Sequence, residues 1–539
     1  MKKLILMISA VSGIAAANAQ SVELGNQSYY YERYQSSETN FHKTIAQQPN
    51  NAEAWYGLTR AYLAQEEIKN ASDSLQLAPV QVHEEPYYKV ALGYLMLEQN
   101  KKDSAALFFG QALKKTKEKN AGVLSSVAQA HVNSKNGDAN YAIELLNKAI
   151  KRDKNNAALY VLMGDAYRKI NNGTEAYKAY KIALDKDEKN AAALHKTGEI
   201  FLTQKNPGVY LEYFNKAVYA DPNYAPAIYK LYAHYFYQDV PKAFEYYNQY
   251  VAKTDPSIQN EYDLTDMLYL SKDYNKAIQK ANQLMASQGE QLKPRIFKLL
   301  AYSYTELKDS AKAIDYMQQY FEKEVDSNFI AKDFDLMATL YASSPDKKDS
   351  ALVFFEKAAS LEKDSTALYN YYKKLSNFAK SNKDYAGQAK WLGRFYEGNE
   401  KATNVDLFNW GLAYFLAEDY MMADSVFGMY VAKYPEQSFG YYWQARSVAS
   451  QDKDMTQGIA IPYYKKLVEV LEKDSANANY KKWMVEAYAY LAAYEANTEK
   501  DYAEAVGYFE KVLEVDPENA DAKKYIAILE KDSSTGGGN

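Results

Sequence analysis

The chain has 539 residues, with 64 Lys and Arg against 69 Asp and Glu, and it contains no cysteine. Hydrophobic residues make up 47% and charged residues 25%, which is typical of a folded protein and excludes a disordered one. Without cysteine there can be no disulfide, thiolate metal site or cysteine nucleophile, and the 5 histidines are widely spaced. We therefore expect no metal and no other cofactor.

The first residues are predicted to form a secretory signal peptide, 1–19. Lys2 and Lys3 precede an apolar run, and Ala17-Asn18-Ala19 is a small-x-small cleavage sequence. The apolar run is shorter than the roughly 20 residues that a membrane span needs. No cysteine follows the cleavage sequence, so a lipid anchor is not expected.

The predicted compartment and charge restrict the partners. Cleavage would remove two lysines from a chain whose net charge is already −5, so the mature protein is more negative still. Such a protein is not attracted to nucleic acid or to an anionic membrane surface. We expect a mature protein that is periplasmic or secreted, is not membrane-inserted and does not bind nucleic acid.

An amphipathic helical pattern recurs along the rest of the chain. Apolar residues return at spacings of three and four, which is the period of an α-helix. Glycine inside a helix costs about 1 kcal/mol relative to alanine. Where glycine nevertheless occurs inside a predicted helix, we infer that a neighbouring helix passes too close for a side chain. The glycines at such places are Gly164 and Gly198. The best-matched neighbouring units begin near Ala157 and Ala191, about 34 residues apart.

Tyrosines also recur at matching places in the units, among them Tyr62, Tyr167 and Tyr414. In these small and aromatic positions the chain resembles the tetratricopeptide repeat family. With its predicted signal peptide it resembles the secreted members of that family from Bacteroidota. The resemblance implies an all-α fold, a right-handed α-solenoid (superhelix) of about 13 helix pairs. We predict an N-terminal array over 20–255, a central array with degenerate repeats over 256–437, and C-terminal repeats with a capping helix over 438–531. Residues 532–539 are predicted to be a disordered tail.

No catalytic motif is recognisable in the sequence. A phosphate-binding Gly-Lys-Ser/Thr loop, a nucleophile elbow and a two-histidine zinc motif are all absent, so we do not expect an enzyme. Members of the resembled family bind partners along the groove lined by their first helices. The Lys and Asn pattern with which some members clamp a peptide carboxylate is missing here. The first helices instead carry aromatic candidates for the groove: Tyr56, Tyr229, Tyr232, Phe236, Phe408 and Phe415.

These features leave two functions open. The first is a non-catalytic scaffold of the bacterial cell envelope, whose groove holds a protein or peptide partner. The alternative is a glycan-binding helical-repeat protein of a polysaccharide-uptake system, because aromatic rings stack on sugars as well as on peptides. The identity of the partner and the oligomeric state are not determined by the sequence.

A short triplet, Asp-Ser followed by a small or apolar residue or Thr, recurs along the chain. It looks like the O-glycosylation signal of Bacteroidota envelope proteins. A structural alternative is that Asp or Ser caps the start of a helix, which contributes about 1 kcal/mol. The candidate acceptors are Ser104, Ser310, Ser350, Ser475, Ser365, Ser74 and Ser425.

Overall fold

The computed structural model describes residues 22–473 and 475–535. The predicted signal peptide lies outside the described residues. Within them, every regular element is a helix, so the all-α prediction is confirmed. The chain divides into two compact units, unit 1 ending at Leu307 and unit 2 beginning at Lys308. This division falls inside the predicted central array.

Unit 1 contains eight consecutive antiparallel helix pairs, α1/α2 to α15/α16, followed by α17. Its α-helices are α1 (22–30), α2 (Tyr34–Gln47), α3 (Ala52–Ala64), α4 (Ile68–Gln76), α5 (Pro86–Glu98), α6 (Lys102–Lys115), α7 (Ala121–Asn133), α8 (Ala139–Arg152), α9 (Ala157–Lys169), α10 (Gly173–Lys186), α11 (Ala191–Thr203), α12 (Pro207–Ala220), α13 (Ala225–Tyr235), α14 (Val240–Val251), α15 (Ile258–Leu270), α16 (Tyr274–Gln288) and α17 (Arg295–Glu306).

Unit 2 begins with α18 and then has five pairs, α19/α20 to α27/α28, with α29 at the end. Its α-helices are α18 (Ser310–Lys323), α19 (Ala331–Ala342), α20 (Lys348–Leu361), α21 (Ser365–Ser381), α22 (Tyr385–Gly398), α23 (Asn404–Leu416), α24 (Tyr420–Lys433), α25 (Ser438–Gln451), α26 (Ile461–Lys473), α27 (Tyr480–Tyr494), α28 (Tyr502–Val515) and α29 (Ala520–Thr535). A π-helical turn, Glu495–Glu499, follows α27.

Capping side chains define where the helices begin. Asparagine side chains cap several first helices, among them Asn51, Asn120, Asn156 and Asn190. The turn inside a pair often places a lysine at positive φ and an aspartate next to it, as in Lys272-Asp273 and Lys383-Asp384. Each of these aspartates accepts a backbone N–H three residues further on, which satisfies a free donor of the second helix.

Close glycine–aromatic contacts hold the two helices of a pair together. A Cβ added at Gly164 would lie 2.2 Å from the ring of Tyr180, and one at Gly198 would lie 2.6 Å from Phe214. In both pairs the aromatic residue comes sixteen residues after the glycine. Gly93 with Phe109 and Gly411 with Phe427 repeat the arrangement. The inference that neighbouring helices pass too close for a side chain at these glycines is confirmed.

The last helix covers the outer end of unit 2. Leu529 and Ala522 of α29 are buried, and the ring of Tyr525 stacks on Phe509 of α28 with 5.4 Å between centroids. The helix continues to Thr535, so the predicted tail begins later than Asp532. The remaining residues of that tail, 536–539, lie outside the described part of the chain.

In unit 1 the first helix pair reaches the loop before α15. The backbone N–H and the hydroxyl of Ser36 both donate to the carboxylate of Asp255, at 3.0 and 2.5 Å. Arg33 lies 3.5 Å from the same carboxylate. These contacts, between residues far apart in sequence, close the concave side of unit 1 into a walled space. None of the described helices has both the length and the apolar character required to cross a bilayer.

Candidate functional site

The concave side of unit 1 contains a cavity of about 1080 Å³. Its walls are first helices, because the second helix of each pair lies on the outside of the solenoid. The lining side chains fall at helical spacing, so each helix turns one polar and aromatic stripe inward. The main contributions are Glu53, Tyr56 and Arg60 from α3, Tyr87, Tyr94 and Glu98 from α5, and Ser125, Gln129 and Asn133 from α7.

The C-terminal end of α1 and the turn after it form a further wall of this cavity. The hydroxyl of Tyr30 accepts a hydrogen bond from the backbone N–H of Ala192 at 3.2 Å. The amide of Asn133 donates to the hydroxyl of Tyr29 at 3.4 Å. A tyrosine-rich stretch of the chain itself is therefore bound on the concave side, against helices of later repeats.

Arg60 is held inside the cavity by rings and amides. Its guanidinium lies 4.2 Å from the ring centroid of Tyr29 and 5.5 Å from that of Tyr56, within the range of cation–π attraction. It donates to the side-chain oxygens of Gln129, at 3.2 Å, and Asn26. None of the described carboxylates forms an ion pair with it. Rings and amides thus satisfy part of the guanidinium, and its buried Nε has no hydrogen-bond partner among the described residues.

Two carboxylates of the cavity wall have no hydrogen-bond or ion-pair partner among the described side chains. Glu53 and Glu98 are half-buried, and neither makes a side-chain hydrogen bond or an ion pair with a described residue. Burial raises the pKa of Glu53, and nearby Arg60 only partly offsets this. Burial and the Glu53 charge raise the pKa of Tyr87, which also lines the cavity, to about 12. The carboxylates are thus polar groups that face the empty part of the cavity.

A buried charge network lies behind the cavity on α9, α11 and α13. Glu199 accepts from Arg168 at 2.5 Å and from Lys230 at 2.9 Å. Burial opposes ionisation of Glu199, but His195, Lys196 and Lys230 outweigh it and lower its pKa to about 2. Burial lowers the pKa of His195 to about 3. This network fixes α9, α11 and α13 relative to one another.

Of the groove residues predicted from sequence, Tyr56 alone lines this cavity, and it too is only 4% exposed. Tyr229 is 41% exposed on α13, but Tyr232 is only 4% exposed and packs on Tyr247 of α14. Tyr232 therefore belongs to the core between two helices and offers little surface to a partner. Phe236 is half-buried beside Tyr237.

The two groove candidates in unit 2 belong to an aromatic cluster. Phe408 and Phe415 are half-buried and contact the ring of Trp443, at 6.4 and 5.1 Å between centroids. The guanidinium of Arg446 lies 5.1 Å from the same indole ring. These rings mainly pack against one another, and so they leave less surface for a partner than the sequence suggested.

The predicted glycosylation serines differ in accessibility. Ser74 is only 8% exposed and donates to the carbonyl of Ala71, so its hydroxyl is not available on the surface. Ser104 is half-buried, and the exposed candidates are Ser310, Ser350, Ser365, Ser425 and Ser475. The capping explanation holds at Asp309 and Asp364, which accept backbone N–H groups. Asp103 and Asp349 lie in first turns without capping their helices.

The stacked pairs and the walled concave cavity define a helical-repeat binding protein. Models of the tetratricopeptide repeat match residues 31–95, 161–225 and 487–519. The chain is a tetratricopeptide repeat protein, as its helix pairs also indicate. Repeats of this family generally act as protein-interaction scaffolds and are typically non-catalytic. No curated protein matches the chain.

Several solved structures are similar over part or most of the chain. The C-terminal part of a repeat-containing protein from Cytophaga hutchinsonii is 25% identical, covers 49% of this chain and 99% of its own, and has a TM-score of 0.30. A repeat protein from Parabacteroides merdae is 18% identical over 47% of this chain and 96% of its own, with a TM-score of 0.32. The Cut9–Hcn1 complex of APC/C is 13% identical over 97% and 98%, with a TM-score of 0.27.

Proposed function

We propose that this protein is a non-catalytic scaffold of the bacterial cell envelope, and that the concave cavity of unit 1 holds a segment of a protein partner. The observation that carries the proposal is the C-terminal end of α1. Its tyrosines are already bound on that surface by the backbone N–H of Ala192 and the amide of Asn133. A surface that binds one peptide segment of its own chain has the polar and aromatic groups to bind another beside it.

The space that remains is large enough for such a segment. A volume of about 1080 Å³ is slightly above the range of small-molecule pockets, which is about 300–1,000 Å³. Extended peptides lie along such concave solenoid surfaces. The envelope location rests on the predicted signal peptide at residues 1–19 and on the negative charge of the chain.

A cavity-filling variant tests the proposal. Ser125 of α7 lines the cavity, and Ser125→Trp would place an indole ring in the space of the partner. Ser360→Trp, on the exposed surface of α20, is the matched control. We expect the wild type and the control to retain one discrete protein from the native envelope fraction, and Ser125→Trp to lose it. Equal retention by all three proteins would contradict the proposal.

A glycan ligand is the second candidate, because the tyrosine rings, amides and carboxylates of the cavity also suit a sugar. The wild type, Ser125→Trp and Ser360→Trp also distinguish a glycan ligand from a protein partner. Retention on envelope polysaccharide that Ser125→Trp abolishes, without any retained protein, would favour the glycan-binding function.

A further inference from the structure

We infer that the partner segment is basic, and that two of its lysine or arginine side chains are bound by Glu53 and Glu98 of the cavity. This inference rests on the proposed function and names the chemistry of its partner. It is based on the charges, the spacing and the rings of the cavity wall.

The charge count of the cavity favours a cation. Two of its carboxylates are already paired, Glu66 with Lys135 at 3.9 Å and Asp165 with Lys196 at 3.6 Å. The lining groups outside these pairs are the carboxylates of Glu32, Glu53 and Glu98 and the guanidinium of Arg60. An incoming cation would therefore enter a cavity with an excess of negative charge.

An acidic partner is disfavoured by the surroundings of Arg60. Its guanidinium lies against the rings of Tyr29 and Tyr56, and both terminal nitrogens already donate to amide oxygens, which leaves only the buried Nε without a hydrogen-bond partner in the described part of the chain. The charge of Lys169 interacts with that of Glu98, but its ammonium donates to the carbonyls of His131 and Val132 and not to that carboxylate. Neither half-buried carboxylate is hydrogen-bonded to a cation of the described chain, so binding a ligand cation there would offset the cost of their partial burial.

Tyrosine rings lie beside both carboxylates. Tyr56 comes three residues after Glu53 on α3 and its ring lies 5.9 Å from that of Tyr87, and Tyr94 lies one helical turn before Glu98 on α5. Tyrosine faces attract ammonium and guanidinium groups. Arg60 is an example within this cavity, since its own guanidinium is bound by two such faces.

The two carboxylates lie at opposite ends of the cavity wall. Glu53 is near the start of α3, and Glu98 is the last residue of the parallel neighbouring helix α5. At 1.5 Å per residue, a helix of this length separates them by about 17 Å along the wall. An extended peptide covers that distance in about five residues. The partner segment should therefore carry basic residues at this spacing.

A defined peptide tests the inference on the full mature chain. The probe is acetyl-Lys-Gly-Ser-Gly-Ser-Lys-amide, and the same peptide with both lysines Nε-acetylated is the uncharged control. By calorimetry at low salt, we expect saturable binding of the charged peptide and at least tenfold weaker binding of the acetylated one. The same peptide with Glu in place of both lysines should not bind.

The carboxylates are tested by an isosteric double substitution, Glu53→Gln/Glu98→Gln, which should weaken binding at least tenfold. Glu188→Gln/Glu245→Gln, at exposed positions outside the cavity, changes the net charge equally and should leave binding unchanged. Circular dichroism checks that both variants are folded.

Three results would overturn the inference: no saturable binding of the lysine peptide, equal binding by the two double variants, or tighter binding of the Glu peptide. If Ser125→Trp abolishes capture of the envelope partner while Glu53→Gln/Glu98→Gln does not, the inference fails and the proposed function stands.

Discussion

Adding one methyl group at Gly164 should destabilise one helix pair, although the same change elsewhere stabilises the protein. A Cβ at Gly164 would lie 2.2 Å from the ring of Tyr180, whose side chain is fully buried and whose hydroxyl donates to Asp165 at 2.6 Å. The ring would have to move by more than 1 Å to reach ordinary van der Waals contact, which is at about 3.5 Å or more.

The magnitude follows from three contributions. Overpacking costs about 1–3 kcal/mol, and loss of the Tyr180 hydrogen bond adds about 1 kcal/mol. Alanine in place of glycine inside a helix returns about 1 kcal/mol. Gly164→Ala should therefore destabilise the α9/α10 pair by about 1–3 kcal/mol. Gly110→Ala in α6, where a Cβ meets nothing within 4 Å, should stabilise its pair by about 1 kcal/mol.

Hydrogen exchange on the full chain measures both effects locally, because each pair of a repeat array contacts mainly its neighbours. Amides of α9 and α10 should exchange roughly tenfold faster in Gly164→Ala, and those of α6 more slowly in Gly110→Ala. In a Tyr180→Leu background, which lacks the aromatic ring, Gly164→Ala should destabilise the pair by less. Slower exchange of α9 and α10 in Gly164→Ala would refute the close-contact argument.

Three further predictions concern pH, the closure of unit 1 and modification. The pKa of His195 is lowered by burial to about 3, whereas the unfolded chain takes up a proton near 6.5. The free energy of unfolding should therefore fall as the pH drops below 6.5, by up to about 1.4 kcal/mol per pH unit. In urea unfolding, His195→Phe should make this free energy less dependent on pH. Identical slopes of unfolding free energy against pH in the wild type and the variant would contradict this. Asp255→Ala removes the acceptor for Ser36 and should speed amide exchange at the start of α2, with no change in unit 2. Intact-mass and peptide analysis of protein from the native envelope should find Ser74 unmodified, because it is buried, while added sugar is expected at exposed candidates such as Ser310. A mass equal to residues 20–539 alone would leave Asp309 and Asp364 with the capping role only.

The helix pairs were predictable because their signals are local. Glycine within a helix and an aromatic residue in the following helix reappear at a fixed interval, as in Gly164 with Tyr180 and Gly198 with Phe214. The structure adds the physical reason for that interval, since the aromatic ring occupies the space that any side chain at the glycine position would need. Such a pattern is visible in the sequence without knowledge of distant contacts.

The candidate site could be predicted only in part. Tyr56 and Tyr232 both lie on first helices and both are only 4% exposed, yet Tyr56 borders the cavity and Tyr232 packs on Tyr247 of α14. The neighbouring helices decide this, and composition does not reveal it. The stripe formed by Glu53, Tyr56 and Arg60 at helical spacing was an available signal.

The closure of unit 1 had no sequence signal at all. Ser36 and Asp255 are ordinary polar residues far apart in the chain, and their contact depends on the accumulated turn of all the helix pairs between them. The cavity wall formed by α1 likewise depends on contacts with helices of later repeats, so the volume and the unpaired carboxylates could be recognised only from the structure.

Site-specific photo-crosslinking in the native cells tests the central claim most directly. A photoreactive residue in place of Lys135, an exposed side chain at the edge of the cavity, should crosslink to one discrete envelope protein. The crosslink should disappear when Ser125→Trp is added. The same photoreactive residue in place of Ser360 should not give that product. A crosslink that persists with Ser125→Trp, or that forms equally from both positions, would contradict binding of the partner in the cavity.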